Sequence, residues 1–409
     1  MTDDRYTVIS ADCHAGADLL DYRPYLESRY HEAFDAWAAS YVNPHEDLLA
    51  DTADRNWNSA RRLAELEADG IVAEVVFPNT IPPFFPSAAL MAPAPSGTEF
   101  EQRWAGLRAH NRWLADFCAE APGRRAGVAQ ILLNDVDAAV REVRRAKEAG
   151  LTGGIMLPGT PPGSGLPELH STYYDPLWAV CVELDVPVNH HGGSASPPLG
   201  DEPAARAVFM VETTWFSHRA LWHLIFGGVF HRHPGLRLVL TEQGSGWIPG
   251  VLDMLDYYHG RLVAAASRTA TAEAKFGVGL AEAMGDSPAG IWRDHCFVGA
   301  SFMRPHEVPL RHRIGLDKIM WGSDYPHDEG THPYSREALR LAYADVPPDE
   351  TAAMLGTNAA RVYGFDLARL APLAARVGPR VTDIAEPLEK IPPDATSPAF
   401  ARGGSVRVW

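Results

Sequence analysis

Asp12 and His14 stand one residue apart at the end of a β-branched run, Thr7-Val8-Ile9-Ser10. On an extended chain, residues two apart project to the same side. The carboxylate and the imidazole therefore face one point, and Cys13 between them faces the other way. Three later runs end in the same kinds of residue. VPVNHH (186–191) ends in Asn189, His190 and His191; LRLVLTE (236–242) ends in Glu242; DKIMWGSD (317–324) ends in Asp324, with His327 just beyond. Asp12 and His14 plus one histidine and Asp324 make two carboxylates and two imidazoles. Mixed nitrogen and oxygen ligands suit divalent zinc, manganese or iron better than calcium or magnesium, and zinc is the first choice. Three or four protein ligands plus a bound water make an open, catalytic site. Asp324 then serves as general base and acid, and Glu242 braces the site or touches substrate. His327 and His190 are substrate contacts.

These residues need a scaffold that brings distant strand ends to one edge. The chain alternates short β-rich runs with longer helical ones. Strands are expected at 7–10, 71–77, 126–133, 153–158, 186–191, 236–242, 295–300 and 317–324. Helices are expected at 59–70, 100–120, 136–150, 175–185, 335–345 and 349–363, with 211–234 mostly helical. Gly70 and Gly150 read as helix stops. Eight strands, each followed by a helix or a long loop, predict an α/β fold of the (β/α)8 TIM-barrel type, with extra loops and a C-terminal extension. Its active site sits at the carboxyl ends of the strands. A doubly wound sheet is the rival, but no GxGxxG follows the first strand. The barrel domain is set at 1–366. A Pro/Ala-rich tail, 367–409, packs on the barrel or on a neighbouring subunit.

Each candidate also has a plainer role. Asp12 could cap a helix, His191 could be a core histidine, and Asp324 lies in a turn-like GSD where Asp bonds its own backbone. Their joint placement at strand ends favours the metal. His218 and His223 read as packing residues on an apolar helix, and His231 and His233 as solvated. The long loop 78–97 carries Phe84-Phe85-Pro86, read as a lid over an apolar substrate. Phe84 and Trp247 are taken as substrate contacts, although an aromatic is more often core.

Composition narrows the partners. With 36 Lys+Arg against 52 Asp+Glu the chain carries −16 and has no basic run, which argues against nucleic acid or an anionic membrane surface. No apolar stretch reaches the ~20 residues a membrane span needs, and MTDDRY is no secretory leader. Four scattered cysteines without a CxxC fit reduced thiols in the cytoplasm. The expected partner is a small molecule, in a homo-oligomer.

The motifs ADCH, PVNHHGG, HRHPGLRLVLTEQGSGWIP, WGSDYPHDEG and GTNAARVYGFD, in that order, resemble the amidohydrolase-related family. This is the branch of the amidohydrolase superfamily that includes metal-dependent aromatic-acid decarboxylases. The resemblance covers roughly 7–366 and implies a metal-bearing barrel. It places the fifth-strand ligand at His191 and not His190, the eighth-strand one at Asp324, and the first-strand pair at Asp12-x-His14, the acidic form of the family's HxH. The family's sixth strand often carries a His before a Gly cluster, where this chain has Glu242-Gln243-Gly244. With that His missing, the first reading is a hydrolase of a small cyclic or aromatic carbonyl compound, acting through metal-bound water. The alternative is a non-oxidative decarboxylase of an aromatic or unsaturated acid. A catalytically silent barrel is the third reading.

Overall fold

The structure is a computed structural model that describes residues 4–200, 202–266 and 272–401. Nine strand segments, all paired in parallel, form it: β1 (Val8–Ala15), β2 (Ile71–Pro78), β3 (Arg125–Gly127), β4 (Ala129–Gln130), β5 (Ile155–Met156), β6 (Val188–His191), β7 (Leu238–Thr241), β8 (Cys296–Gly299) and β9 (Ile319–Met320). They pair as β1-β2-β3 and β4-β5-β6-β7-β8-β9. Two sets of backbone bonds join these sheets into a ring. At Val128, between β3 and β4, the chain bonds β2 (Val128 N to Val76 O, 2.9 Å), and the next amide bonds the other side (Ala129 N to Gly154 O, 2.9 Å). At the far edge Ala11 N donates to Trp321 O (2.9 Å) and His14 N to Tyr325 O (2.7 Å). The third barrel strand is thus one strand in two pieces. Residues 131–133, expected as its end, leave the ladder.

Helices wrap the ring where the apolar periodicity puts them: Ser59–Ala68, Glu99–Ala119, Val136–Glu148 and Asp175–Glu183. Asp135 caps the third of these, accepting from Ala138 N. The helical run expected at 211–234 instead starts at Pro203, a favoured first position, and breaks at Gly227-Gly228 into Pro203–Phe226 and Val229–Arg232. The barrel floor is apolar: Ile9, Ala11, Val75, Val239, Phe297 and Met320 pack together with Ala359 and Tyr363. Leu370 and Ala374, from the helix Leu367–Val377, join the same cluster. Residues 402–409 of the predicted tail lie outside the described residues. Among the described residues no helix is long and apolar enough to cross a membrane.

Glu74 interrupts the apolar β2. It accepts from Arg62 (Nη2 to Oε2, 2.6 Å) and Arg125 (Nε to Oε1, 3.1 Å), and all three are buried. Burial alone would push the Glu74 carboxyl up, but the guanidinium charge of Arg62 outweighs it and holds it low. Arg62 also donates to His14 O (2.7 Å), so this ion cluster fixes the end of β1. Removing one partner of a buried ion pair leaves uncompensated charge. Glu74→Gln is therefore expected to cost about 3–5 kcal/mol, read as a lower midpoint in urea unfolding; a change within about 1 kcal/mol would mean the cluster is solvated.

Candidate metal centre

The alternation of β1 alone would not aim Asp12 at the barrel interior. Ile9 and Ala11 point into the floor cluster, and strict alternation would send Cys13 after them. The β1–β2 register slips between Ser10 and Cys13: Ser10 faces Glu74, but Cys13 faces Val76. Three residues on β1 match two on β2, a bulge, and bulges re-aim side chains beside active sites. Cys13 turns outward to Ser10 (Sγ to Oγ, 3.1 Å) and packs under the helices, while Asp12 and His14 face the cavity. Gly322 lets the chain after β9 pass close by, because a Cβ there would sit 2.5 Å from Asp12 Cβ.

His14 Nε2 lies 3.3 Å from Asp12 Oδ1, 3.3 Å from Asp324 Oδ1 and 3.6 Å from Glu242 Oε2. His191 Nε2 lies 3.5 Å from Asp12 Oδ1 and 3.2 Å from Glu242 Oε2. Donor atoms fall in two overlapping groups, each within 4.8 Å: Asp12, His14, His191 and Glu242, and His14, Glu242, Asp324 and His327. Glu242, read from sequence as a brace or substrate contact, is thus at ligand distance as well. Asp12 Oδ1, His14 Nε2, His191 Nε2 and Asp324 Oδ2 are buried and have no hydrogen-bond partner. Buried polar atoms are normally satisfied, so four such lone-pair atoms from converging strands fit a cation.

Surrounding groups fix the orientation of these side chains. Ser301 Oγ donates to Asp12 Oδ2 (2.7 Å), and His14 Nδ1 and His191 Nδ1 bond the carbonyls of Pro78 (3.3 Å) and Gly192 (3.0 Å). Such bonds leave Nε2 of each ring as the ligand atom. His327 Nδ1 pairs with Asp324 Oδ1 (2.8 Å), and its Nε2 meets Asn79 Oδ1 (3.0 Å). Asp324 and Glu242 both adopt left-handed backbone, φ 60° and 53°, a strain concentrated at functional sites. Asp324 N to Asp12 O (2.9 Å) and Glu242 N to Gly299 O (3.1 Å) hold them there.

Electrostatics differ among the carboxylates. Burial pushes Asp12 up, but the imidazoles of His14 and His191 close beside it outweigh that and hold it well below the usual range. Asp324 is also held low, its burial outweighed chiefly by the charge of His327. Glu242 alone is raised, by burial and by the charge of Asp324. It is also the one that opens outward, its side chain 31% exposed. His14, His191, Glu242 and His327 line a cavity of about 570 Å³, with Asp12 and Asp324 behind them.

Three expected contacts stand elsewhere. His190 follows the alternation of β6 away from His191; its ring is buried against Leu157 O (Nδ1, 3.0 Å), and burial brings its pKa down to about 4. Trp247 is buried in the core, stacked on His218 at 3.6 Å. Phe84 packs with Leu26 and Phe34; it is Phe85 that faces a cavity. Asn79 and Ser301 were missed because single polar residues after a strand carry no motif. A charge inside the apolar run IVAEVVF was the available signal for the Glu74 cluster.

The profile of the Amidohydrolase family matches residues 11–365. The gamma-resorcylate decarboxylase of Rhodococcus jostii is 29% identical over 299 residues, spanning 68% of this chain and 82% of that protein. Among solved structures, a 5-carboxyvanillate decarboxylase from Novosphingobium aromaticivorans, with bound manganese and a nitrobenzoic acid, superposes with TM-score 0.63 at 21% identity, covering 88% of this chain and 97% of that one. A 2,6-dihydroxybenzoate decarboxylase bound to 2,6-dihydroxybenzoate gives TM-score 0.58 at 18% identity over 88% and 99%. These relatives are decarboxylases, which favours the decarboxylase alternative over the hydrolase reading put first, and the 5-carboxyvanillate decarboxylase was solved with manganese, not the zinc put first. The match of one family profile to most of the chain, on this barrel, makes the protein a member of the amidohydrolase family.

Proposed function

We propose that this enzyme is a metal-dependent, non-oxidative decarboxylase of a hydroxylated aromatic acid. The observation that carries the reading is the cluster of four buried, unpartnered donor atoms, His14 and His191 lining one cavity with Asp12 and Asp324 behind them. The decarboxylase relatives supply the reaction class. These four residues would hold one divalent cation, manganese ahead of zinc or iron, which when bound would anchor the substrate carboxylate and neutralise its charge. Glu242, raised and open to the cavity, accepts a hydrogen bond from a ring hydroxyl and orients it. Asp324, sharing a proton with His327, delivers it to the ring carbon that carries the carboxylate. The carbon–carbon bond then breaks, its electron pair restores the aromatic ring, and CO2 leaves. His327, aligned by Asn79, takes a fresh proton from solvent water and shares it with Asp324, which restores the acid for the next turnover. General acid catalysis of this kind contributes about 10²–10⁴-fold.

The test is turnover of 2,6-dihydroxybenzoate by manganese-loaded enzyme in deuterium oxide. The expected result is CO2 release with one deuterium at the vacated ring position. Turnover of an ester, lactone or amide with labelled solvent oxygen in the product, and none of the acid, would restore the hydrolase reading.

A further inference from the structure

Beside the metal centre lies a second cavity, about 470 Å³ in volume, within the ~300–1,000 Å³ of small-molecule sites. Its walls are mostly apolar, from Ala92 and Pro95 of the Pro-rich loop to Met156 and Leu133 of the barrel, with Ser196 and Arg206 among them. Gln130, at the end of β4, also lines it. Its side chain is 1% exposed, and neither its amide nitrogen nor its oxygen has a hydrogen-bond partner. A buried unpaired amide costs free energy, so an amide kept in an apolar pocket points to a ligand that bonds it. Asn134 adds a second buried, unpartnered oxygen, its nitrogen already bonded to Pro95 O (2.9 Å).

The two cavities are neighbours. Leu90 lines both, and it lines a gap of about 30 Å³ between them whose other walls include His14, His191 and Met156. Met91, Gly193 and Phe209 also face both large cavities. A ligand held at the metal centre can therefore extend past Leu90.

We propose that this cavity is a substrate subsite. It takes a flat apolar arm attached to the aromatic acid, ending in a hydroxyl or carbonyl oxygen that the Gln130 amide binds. The inference rests on the decarboxylase reading for the acid that anchors the arm.

The test is calorimetric binding to manganese-loaded protein of salicylate and of its 4- and 5-phenyl and 4- and 5-(4-hydroxyphenyl) derivatives. One hydroxyphenyl isomer is expected to bind at least about 10-fold more tightly than salicylate, and about 3- to 10-fold more tightly than its phenyl counterpart, the range of one neutral hydrogen bond. Gln130→Leu should erase only the second difference. Ala92→Trp fills the cavity from its loop and should erase both while leaving salicylate binding unchanged. Salicylate binding without any gain from the arms, or the same gain in Ala92→Trp, overturns the subsite and spares the decarboxylase reading. Arm-dependent binding without decarboxylation of any of the acids sustains the subsite and removes that reading. If none of the acids binds, both fall.

Discussion

Asp324→Asn is expected to lower turnover of 2,6-dihydroxybenzoate by about 10³-fold, roughly 4 kcal/mol of transition-state stabilisation. Asn keeps the shape of the side chain and the hydrogen bond of its backbone amide to Asp12 O. It removes the acid that hands a proton to the ring carbon and the charge that His327 Nδ1 faces at 2.8 Å. Losing a ligand could by itself abolish activity, so manganese content is measured on the same preparation. With manganese in excess the variant should retain a substantial part of its metal and still be nearly inactive. Turnover within about 10-fold of the parent at equal occupancy would remove Asp324 from the proton-transfer role.

The larger loss is expected from Asp12→Ala combined with His191→Ala. These residues come from β1 and β6 and supply two of the four buried atoms without partners. Elemental analysis should find roughly one equivalent of manganese, zinc or iron in the parent and almost none in the double variant. A ligand that binds only the folded state at 100 times its Kd stabilises by about 2.7 kcal/mol. Chelation should therefore lower the melting temperature of the parent and leave that of the double variant unmoved. The variant removes a buried carboxylate and an imidazole that are 3.5 Å apart, so the folded state survives without a stranded charge between these two. Equal metal in both proteins would show that the ion is bound elsewhere; none in either, even after supplementation, would make the cluster structural.

The barrel was legible because its period is local. β-branched runs alternating with amphipathic helices and glycine stops put the strands within a few residues of where they pair, and strand ends rich in Asp, His and Glu marked the catalytic face. Boundaries were less legible where tertiary bonding sets them. Val128 bonds β2 while the next amide bonds Gly154 O on the other side, a division of one strand that no sequence period encodes. Aromatic residues were read less well than polar ones. Phe84 and Trp247 have the chemistry of a substrate wall, but side-chain direction in a loop is decided by the partners it packs against.

By itself the sequence determined which residue types stand at the strand ends, and that β1 offers Asp12 and His14, one oxygen and one nitrogen donor, on one side. Only the tertiary structure decided that this side is the inner one. The bulge between Ser10 and Cys13 inverts the alternation that Ile9 and Ala11 begin. Register belongs to a pair of strands, and a slip of one residue exchanges the faces. The same holds for Glu242 and for Gln130: the exposure of the first, the missing partners of the second and the cavities both face are properties of neighbours far away in the chain.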